Sequence, residues 1–374
     1  MLSPLQELLL FPPIQPYLLR DEFLDTRAAG AVNGTPATPG PGTRSVQDTA
    51  NHLSISDGKL LTDGGASSWG NPRYVLDGLV RAPGIALIVE ELQKTSYAHF
   101  GPHVSWGTSA TDSNPGVAGG SRVTMGASTS LAFTTAGNTS AAQTASDLYE
   151  VNLAYKIALV LRDNGVFYLV KGGAFLDWTL SWVSNAGMTS PVYPIISWYN
   201  SVTSTDAVHV AQLGMPWNND YGIVTQRLSG ARLAGDAFTH EANALIEFVV
   251  ATVPSAGQIE LRFRIQDATN YWQVTVDSAG NLDLDEVVAG VVTQRGTSAA
   301  VIVNGDRIVI QMHGTNVKIF EANTIRINYA AATNFQTKTD GELETESDGA
   351  VTDIISWPRT ISGAAAATLD RYSR

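Results

Sequence analysis

The sequence predicts an all-β chain of two tandem antiparallel β-sandwiches, and three observations predict it. First, Ile259 to Thr293 holds three strand-length runs separated by two turns. In the first run Ile259, Leu261, Phe263 and Ile265 alternate with Glu260, Arg262 and Arg264, the period of two that gives a strand one apolar and one wet face. Second, Tyr155 to Leu161 and Val166 to Val170 flank Arg162-Asp163-Asn164-Gly165, a strand, a turn and a strand. Third, 34 glycines and a charged fraction of only 16%, with Ser, Thr and Ala in clusters, suit a protein of many turns.

Composition narrows the function classes. A length of 374 residues suits about two domains, and a hydrophobic content of 44% supplies sizeable cores. The net charge of -12 argues against nucleic acid as a partner, because phosphate contacts need clustered Lys and Arg and no such cluster is present. With no cysteine, disulfides, thiolate metal sites and cysteine nucleophiles are excluded. That absence favours a prokaryotic or viral chain over a large secreted eukaryotic module. The opening Met1 to Glu7 lacks a basic n-region. No apolar run is long enough for a helix to span a bilayer, so no membrane partner is expected. The expectation is a virion protein, made in a host cytoplasm and released by lysis.

Taken in order, residues 1–20 read as an N-terminal arm. Leu8 to Phe11 precede Pro12, Pro13 and Pro16, which prevent a regular helix or central strand. The arm is expected to pack along its own domain or to dock on a neighbouring subunit. A first jelly-roll domain is expected over 21–213. His52 to Leu61 alternates around a turn, Val75 to Val80 and Ile85 to Leu92 read as strands, and Trp178 to Val183 and Ile195 to Tyr199 complete the sheets. Within it, 107–147 is poor in charge and rich in Gly, Ser and Thr, and reads as a long insertion with two short strands near Val123 and Leu131. A second jelly-roll domain is expected over 214–362, and 363–374 as a C-terminal tail, either a short helix or frayed chain.

The second domain reads as a repeat of the first. Leu228 to Leu233 matches Ile55 to Leu60 in kind, and Asp306 to Phe320 repeats the Tyr155 hairpin. Ile354-Ile355-Ser356-Trp357 repeats Ile195-Ile196-Ser197-Trp198 letter for letter. Within the second domain, Ile259 to Ile265, then Asp267-Ala268-Thr269-Asn270-Tyr271-Trp272, a Gly turn at Asp277 to Asn281 and the alternation from Leu282 resemble a concanavalin A-like, laminin-G-like jelly roll. Such modules occur in tailed-phage structural proteins and in secreted proteins that bind or cleave carbohydrate. The resemblance covers most of the second domain and only loosely the first, and function sits in sites grafted on such folds.

Candidate chemistry is sparse. Asp283 and Asp285 alternate on one strand, as acids do in the laminarinase-like hydrolases that share the jelly roll. Those enzymes have E-x-D-x-E, whereas here Asn281 and Val287 take the outer positions and Glu286 points to the opposite face. Ordinary solvated strand acids are the expected reading, and no enzyme is expected. The acidic run Asp340, Glu342, Glu344 and Asp348 offers candidate calcium ligands, without the spacing of an EF-hand, beside the simpler reading of a solvated loop. His99 and His103 flank Pro102 and lack an acidic third ligand. Trp69, Tyr74, Tyr97, Trp106, Tyr271 and Trp272 sit in or beside loops. Five of them, Trp69, Tyr97, Trp106, Tyr271 and Trp272, are the candidate platforms on which a sugar ring would stack.

The function expected is therefore a non-enzymatic structural protein of a phage-like particle, a capsid decoration or a tail or fibre component. It would be a homo-oligomer held to other virion proteins through the arm and would present two lectin-like modules to a cell-surface glycan. Calcium is the one cofactor candidate. The alternative is a secreted polysaccharide-binding or polysaccharide-cleaving protein of laminarinase-like fold.

Overall fold

The computed structural model describes residues 17–65, 70–98, 100–115, 119–126, 130–135, 143–185, 187–215, 217–219, 223–299, 302–322 and 324–373. Residues 1–16 of the expected arm, and with them its docking role, lie outside these. The chain divides into two compact units. One comprises Met1–Thr139, Asp147–Asp220 and Ser362–Arg374, the other Ser140–Ser146 and Tyr221–Ile361.

In the first unit β1 (Leu19–Asp21), β2 (Ser45–Gln47), β3 (Leu53–Ser56), β4 (Lys59–Asp63), β5 (Arg73–Val75) and β6 (Ile85–Lys94) come first. Next are β7 (His103–Gly107), β8 (Ser121–Met125), β9 (Ser130–Thr135) and β10 (Gln143–Leu148), of which only residues 147 and 148 are counted with this unit. The predicted hairpin follows as β11 (Ala154–Arg162) and β12 (Gly165–Gly172), then β13 (Phe175–Val183), β14 (Tyr193–Ser197), β15 (Val202–Thr205) and β16 (Ala207–Gln212). One sheet runs β13-β12-β11-β6-β15-β4-β3, with β16 also on β6 and β1 on β16. The other runs β10-β9-β8-β7-β14-β5-β2. They face each other across a core. Trp106 on β7 donates its Nε1–H to the Leu159 carbonyl on β11 at 3.0 Å. Phe133 on β9 meets Tyr168 on β12 edge-on at 5.3 Å.

Residues 363–374, set apart in the sequence as a tail, form α1 (Gly363–Arg371) and belong to this first unit. Leu369 is fully buried, which stabilises by roughly 1.5–3 kcal/mol. Asp370 accepts from Lys171 Nζ and Trp178 Nε1, both at 2.9 Å. Ala-rich sequence favours the helix, and these two anchors on β12 and β13 hold it down.

The second unit contains β17 (Gln226–Arg232), β18 (Asp236–Thr239), β19 (Ala244–Thr252), β20 (Gln258–Asp267), β21 (Asn270–Asp277), β22 (Leu282–Val288) and β23 (Val291–Ser298). β24 (Arg307–His313), β25 (Asn316–Glu321), β26 (Thr324–Tyr329), β27 (Asp340–Thr345) and β28 (Ala350–Pro358) complete it. Two six-stranded sheets, β17-β28-β19-β24-β25-β26 and β18-β27-β20-β21-β22-β23, enclose one core. Ile246 and Phe248 from the first sheet meet Leu261, Phe263, Val274 and Leu284 from the second. The alternation read from Ile259 to Phe263 is the inner face of β20.

The two units share one topology. Taking β4 through β16 against β17 through β28 in chain order, with β15 and β16 together matching β28, every neighbour relation in one unit recurs in the other. Two readings of the sequence are corrected by this map. The stretch 107–147 is not an insertion decorating a sandwich. It supplies β8 and β9, the two strands read near Val123 and Leu131, and β10, together the counterparts of the β21–β22–β23 meander. The repeated tetrapeptides do not correspond either. Ile195–Ser197 lie on β14, in the sheet opposite the β11–β12 hairpin, whereas Ile354–Trp357 lie on β28, in the same sheet as the β24–β25 hairpin.

Candidate functional site

The turns of the second unit's meander fix its register. Asp267 Oδ1 accepts the Thr269 amide at 2.9 Å and Asn270 Nδ2 at 2.8 Å, and Asn270 Oδ1 accepts the Ala289 amide at 2.9 Å. The D-x-x-N part of the motif is therefore turn hardware. At the next turn Asp277 Oδ1 accepts the amides of Ala279 at 2.9 Å and Asn281 at 2.8 Å. Gly280 sits there at φ 77°, where a Cβ would stand 2.7 Å from the Ile302 carbonyl.

With register fixed, alternation assigns each side chain a face. Leu343, Leu261, Trp272, Val274 and Leu284 point into the core. The opposite face carries two cross-strand rows on β27, β20, β21 and β22. One reads Glu342, Arg262, Gln273, Asp285, and the next Glu344, Glu260, Thr275, Asp283. Tyr271 adjoins them, with the Arg262 guanidinium carbon 4.9 Å from its ring centre. Arg262 donates from Nη2 to Glu260 Oε2 at 2.7 Å, and its Nη1 lies 3.8 Å from Glu342 and 3.7 Å from Glu344. Gln273 Nε2 donates to Asp285 Oδ2 at 3.1 Å.

This outer face is more enclosed than one strand side open to water would be. Gln273 and Thr275 are 3% exposed, Asp285 7% and Tyr271 9%. Burial pushes the Asp285 carboxyl above its ordinary range, opposed by the Gln273 hydrogen bond and helped by the charges of Asp283 and Glu260. Asp283 Oδ1 is buried with no hydrogen-bond partner. Three carboxylates, Glu260, Glu342 and Glu344, surround the Arg262 guanidinium, and Asp283 and Asp285 lie two strands along the same face. The face therefore offers many acceptors, the Gln273 amide and Arg262 as donors, one aromatic ring, and a field that repels anions.

The sequence-predicted aromatics scatter. Tyr271 lies on this face. Trp272, next to it, points the other way: it is fully buried, meets Tyr329 at 5.8 Å and donates to the Asn334 carbonyl at 3.1 Å. Trp106 is likewise a fully buried core residue. Neither has a ring face for a sugar, which corrects their assignment as platforms. Both flank turns in sequence, and both sit on the inward phase of their strands. Tyr97 is half-buried, 5.6 Å from Tyr149, with its hydroxyl accepting the Val151 amide at 3.1 Å. Tyr74 is fully buried and donates to Asp21 at 2.7 Å. Trp69 and His99 lie outside the described residues.

The acidic run is also corrected. Asp340 to Thr345 is strand β27 rather than a loop, so Asp340, Glu342 and Glu344 point the same way along a straight strand instead of converging. Asp348 is turned to the Ser255 amide at 2.7 Å. Among the described residues no three acidic or histidine side chains come together as a metal site, and this donor set does not fit calcium. Glu286 faces the core side, as expected, where Arg295 Nε at 2.9 Å and Asn334 Nδ2 at 2.6 Å hold it. His103 is buried, with Nδ1 2.8 Å from Thr124 Oγ1. Glu260, Arg262 and Gln273 were not singled out in the sequence. The alternation placed Glu260 and Arg262 outward, but only strand register brings them beside Glu342, Glu344 and Asp285.

The matching face of the first unit is closed. Its outward residues Arg73, His103 and Arg122 are basic or neutral. The connection between β7 and β8 reaches two of them. The Thr111 carbonyl accepts from Arg73 Nη1 at 3.0 Å, and Asn114 Oδ1 accepts from Arg122 Nη1.

No protein-family model matches the sequence, and no curated protein matches it. Among solved structures, the chain is similar to a carbohydrate-binding module, CBM66, from Bacillus subtilis, with 17% identity over 35% of this chain and 83% of that one, at a TM-score of 0.27. Galectin LEC-6 of Caenorhabditis elegans matches with 9% identity over 35% of this chain and 94% of its own, at a TM-score of 0.30. Sheep galectin-11, in a complex with glycerol, matches with 9% identity over 33% and 98%, at a TM-score of 0.29. At these scores the likenesses carry no argument, and the fold stands on the chain's own sheets and cores.

Proposed function

We propose that this chain is a non-enzymatic glycan-binding protein whose second unit takes a neutral oligosaccharide on the β27–β20–β21–β22 face. One observation carries the reading: the enclosed row Arg262, Gln273, Asp285 beside Tyr271, with Asp283 Oδ1 unpartnered in the next row. Carboxylate and amide oxygens accept from sugar hydroxyls, Gln273 and Arg262 donate, and the Tyr271 ring supplies an apolar contact. The charge excludes sialylated, sulfated and uronic-acid chains. Binding on a glycan array, lost in Arg262→Ala and Gln273→Leu chains of unchanged thermal stability, is the expected result. Binding that survives both substitutions would overturn it.

A second reading has its own observation. Asp285, held protonated more readily than usual, stands beside Asp283 on one strand face, the acid-and-carboxylate pairing of a glycoside hydrolase. Val287 in the third position argues for binding without cleavage. Release of reducing ends from a bound oligosaccharide, abolished by Asp285→Asn, would favour this alternative.

The reading extends to a phage-like particle. A cysteine-free chain of two duplicated units, repeated on a symmetric surface, turns weak sites into tight multivalent attachment. Mass spectrometry of gradient-purified particles from the source culture tests this, and absence of the chain from them would exclude it. No calcium is invoked.

A further inference from the structure

We infer that the first unit carries a second, separate saccharide site, a groove of 420 Å³ on the outer side of β3, β4 and β15. This rests on the reading of the chain as a glycan-binding protein, and it places a ligand in the unit whose counterpart face is closed.

The strand register builds the groove. Asp63 pairs with Val202, and Leu61 with Ser54 and Ser204, so these side chains stand in adjacent rows on one face. Leu53 and Ile55 point to the core and are fully buried, which turns His52 and Ser54 outward. Ala29 and Asn51 close one side and Thr95 the other. The floor is apolar, from Leu61 and Val202, and the rim is hydroxyl and amide. That combination is the two-sided chemistry of a pyranose ring, one face C–H and the edge O–H. The volume lies at the lower end of the range of about 300–1,000 Å³ for small-molecule sites, room for about one or two sugar rings.

The polar end is preorganised. Asp63 Oδ1 accepts the Gly65 amide at 2.9 Å and lies 2.7 Å from His52 Nδ1, an ion-pair contact set off the axis of an aligned hydrogen bond. The backbone of His52 is held in turn, its amide donating to Asp48 Oδ1 at 2.8 Å. Gly65 packs so close to the imidazole that a Cβ would stand 2.2 Å from Cε1. The imidazole is thus fixed from two sides without being buried. It presents a ring edge and a carboxylate to the groove, where a vicinal diol would bind both.

The test counts sites in the full chain. Isothermal titration with the neutral oligosaccharide selected by the array is run on the natural chain, on Val202→Trp, on Asp63→Ala and on Arg262→Ala. Val202 is 45% exposed, so a Trp there fills the groove without entering the core. The inference expects two equivalents for the natural chain, and one for Val202→Trp and for Arg262→Ala. Asp63→Ala should weaken the groove's equivalent by tenfold or more with little change in unfolding temperature. One equivalent, removed by Arg262→Ala and untouched by Val202→Trp and Asp63→Ala, overturns the groove and leaves the second-unit site standing. One equivalent, removed by Val202→Trp and Asp63→Ala alone, overturns the second-unit site and leaves the groove. No heat with any sugar overturns both.

Discussion

The face of β7, β8 and β9 in the first unit and that of β20, β21 and β22 in the second hold the same place in one topology, yet the first is met by a long connection and the second, open in that sense alone, is bounded by a two-residue turn. The difference lies in a single connection. Between β7 and β8 the chain spends residues 108–120, and their carbonyl and amide groups occupy the outward guanidiniums of Arg73 and Arg122. Between β20 and β21 it spends only Ala268 and Thr269. Charge follows cover. Beside these arginines His103 is buried, its pKa held well below the ordinary value by burial and by the charges of Arg122 and Lys94. On the second unit's face acidic side chains gather around Arg262, whose guanidinium offsets part of their repulsion. A duplicated sandwich can thus assign one copy of a face to stability and the other to binding by changing a loop, without altering strand order.

The largest expected effect comes from removing the cover. Replacing residues 108–120 with an Asp-Gly turn takes the Thr111 carbonyl from buried Arg73 and the Asn114 amide oxygen from half-buried Arg122. It should destabilise the first unit by about 3 kcal/mol or more. The His103 pKa, followed by NMR, should climb toward about 6.5. Unchanged stability with an unshifted His103 would show that the connection is not the cover.

A pH series comes next. Burial pushes the His209 pKa down to about 4, against the favourable contact of the Tyr372 carbonyl. A depressed folded pKa means a contribution fully present above the unfolded value of about 6.5 and lost as pH falls toward 4. That amounts to about 3 kcal/mol for this residue. His103 and His240 shift in the same direction. Denaturant midpoints should therefore fall steadily from pH 7 to pH 4.5, with a shallower fall in His209→Gln. Asp285, shifted upward, works weakly in the other sense.

On the open face the effects are on binding. Arg262→Ala should lower oligosaccharide affinity by tenfold or more, about 1.4 kcal/mol, while stability changes by less than about 1 kcal/mol because its ion pairs are partly exposed. Smallest is Glu342→Gln at the rim, expected to move stability by about 0.5 kcal/mol at most and affinity by less than about twofold. A rim effect larger than the Arg262 effect would relocate the site to the β27 edge.

Much of this architecture is legible in the sequence where strands alternate cleanly. Ile259 to Phe263, Tyr271 to Val276 and the Tyr155 hairpin read directly, because one apolar face and turn residues at the ends leave little ambiguity, but past Phe263 the register shifts and Arg264, expected to face water, is fully buried. β8 and β9 read as the short strands near Val123 and Leu131 but not as part of the sheet, and β10 did not read, since Ser, Thr and Gln carry little periodic contrast. Identity of Ile195–Trp198 with Ile354–Trp357 misled, because four letters, three of them apolar, specify a buried strand but not which sheet it joins. The site was half legible. Tyr271 stood out as an aromatic beside a turn, and so did Trp272, and only the inward or outward phase of β21 separates them. Glu342 and Glu344 drew attention as an acidic run, but their partner Arg262 lies eighty residues away at Glu342 and is brought alongside by the β20–β27 ladder.

The most direct test is a deuterium-exchange footprint of the full chain with and without saturating neutral oligosaccharide. The open-face account predicts slowed exchange across 258–288 and 340–345, with no change across 103–107 and 121–125. Slowed exchange across 103–125, or none across 258–288 at saturation, would contradict it.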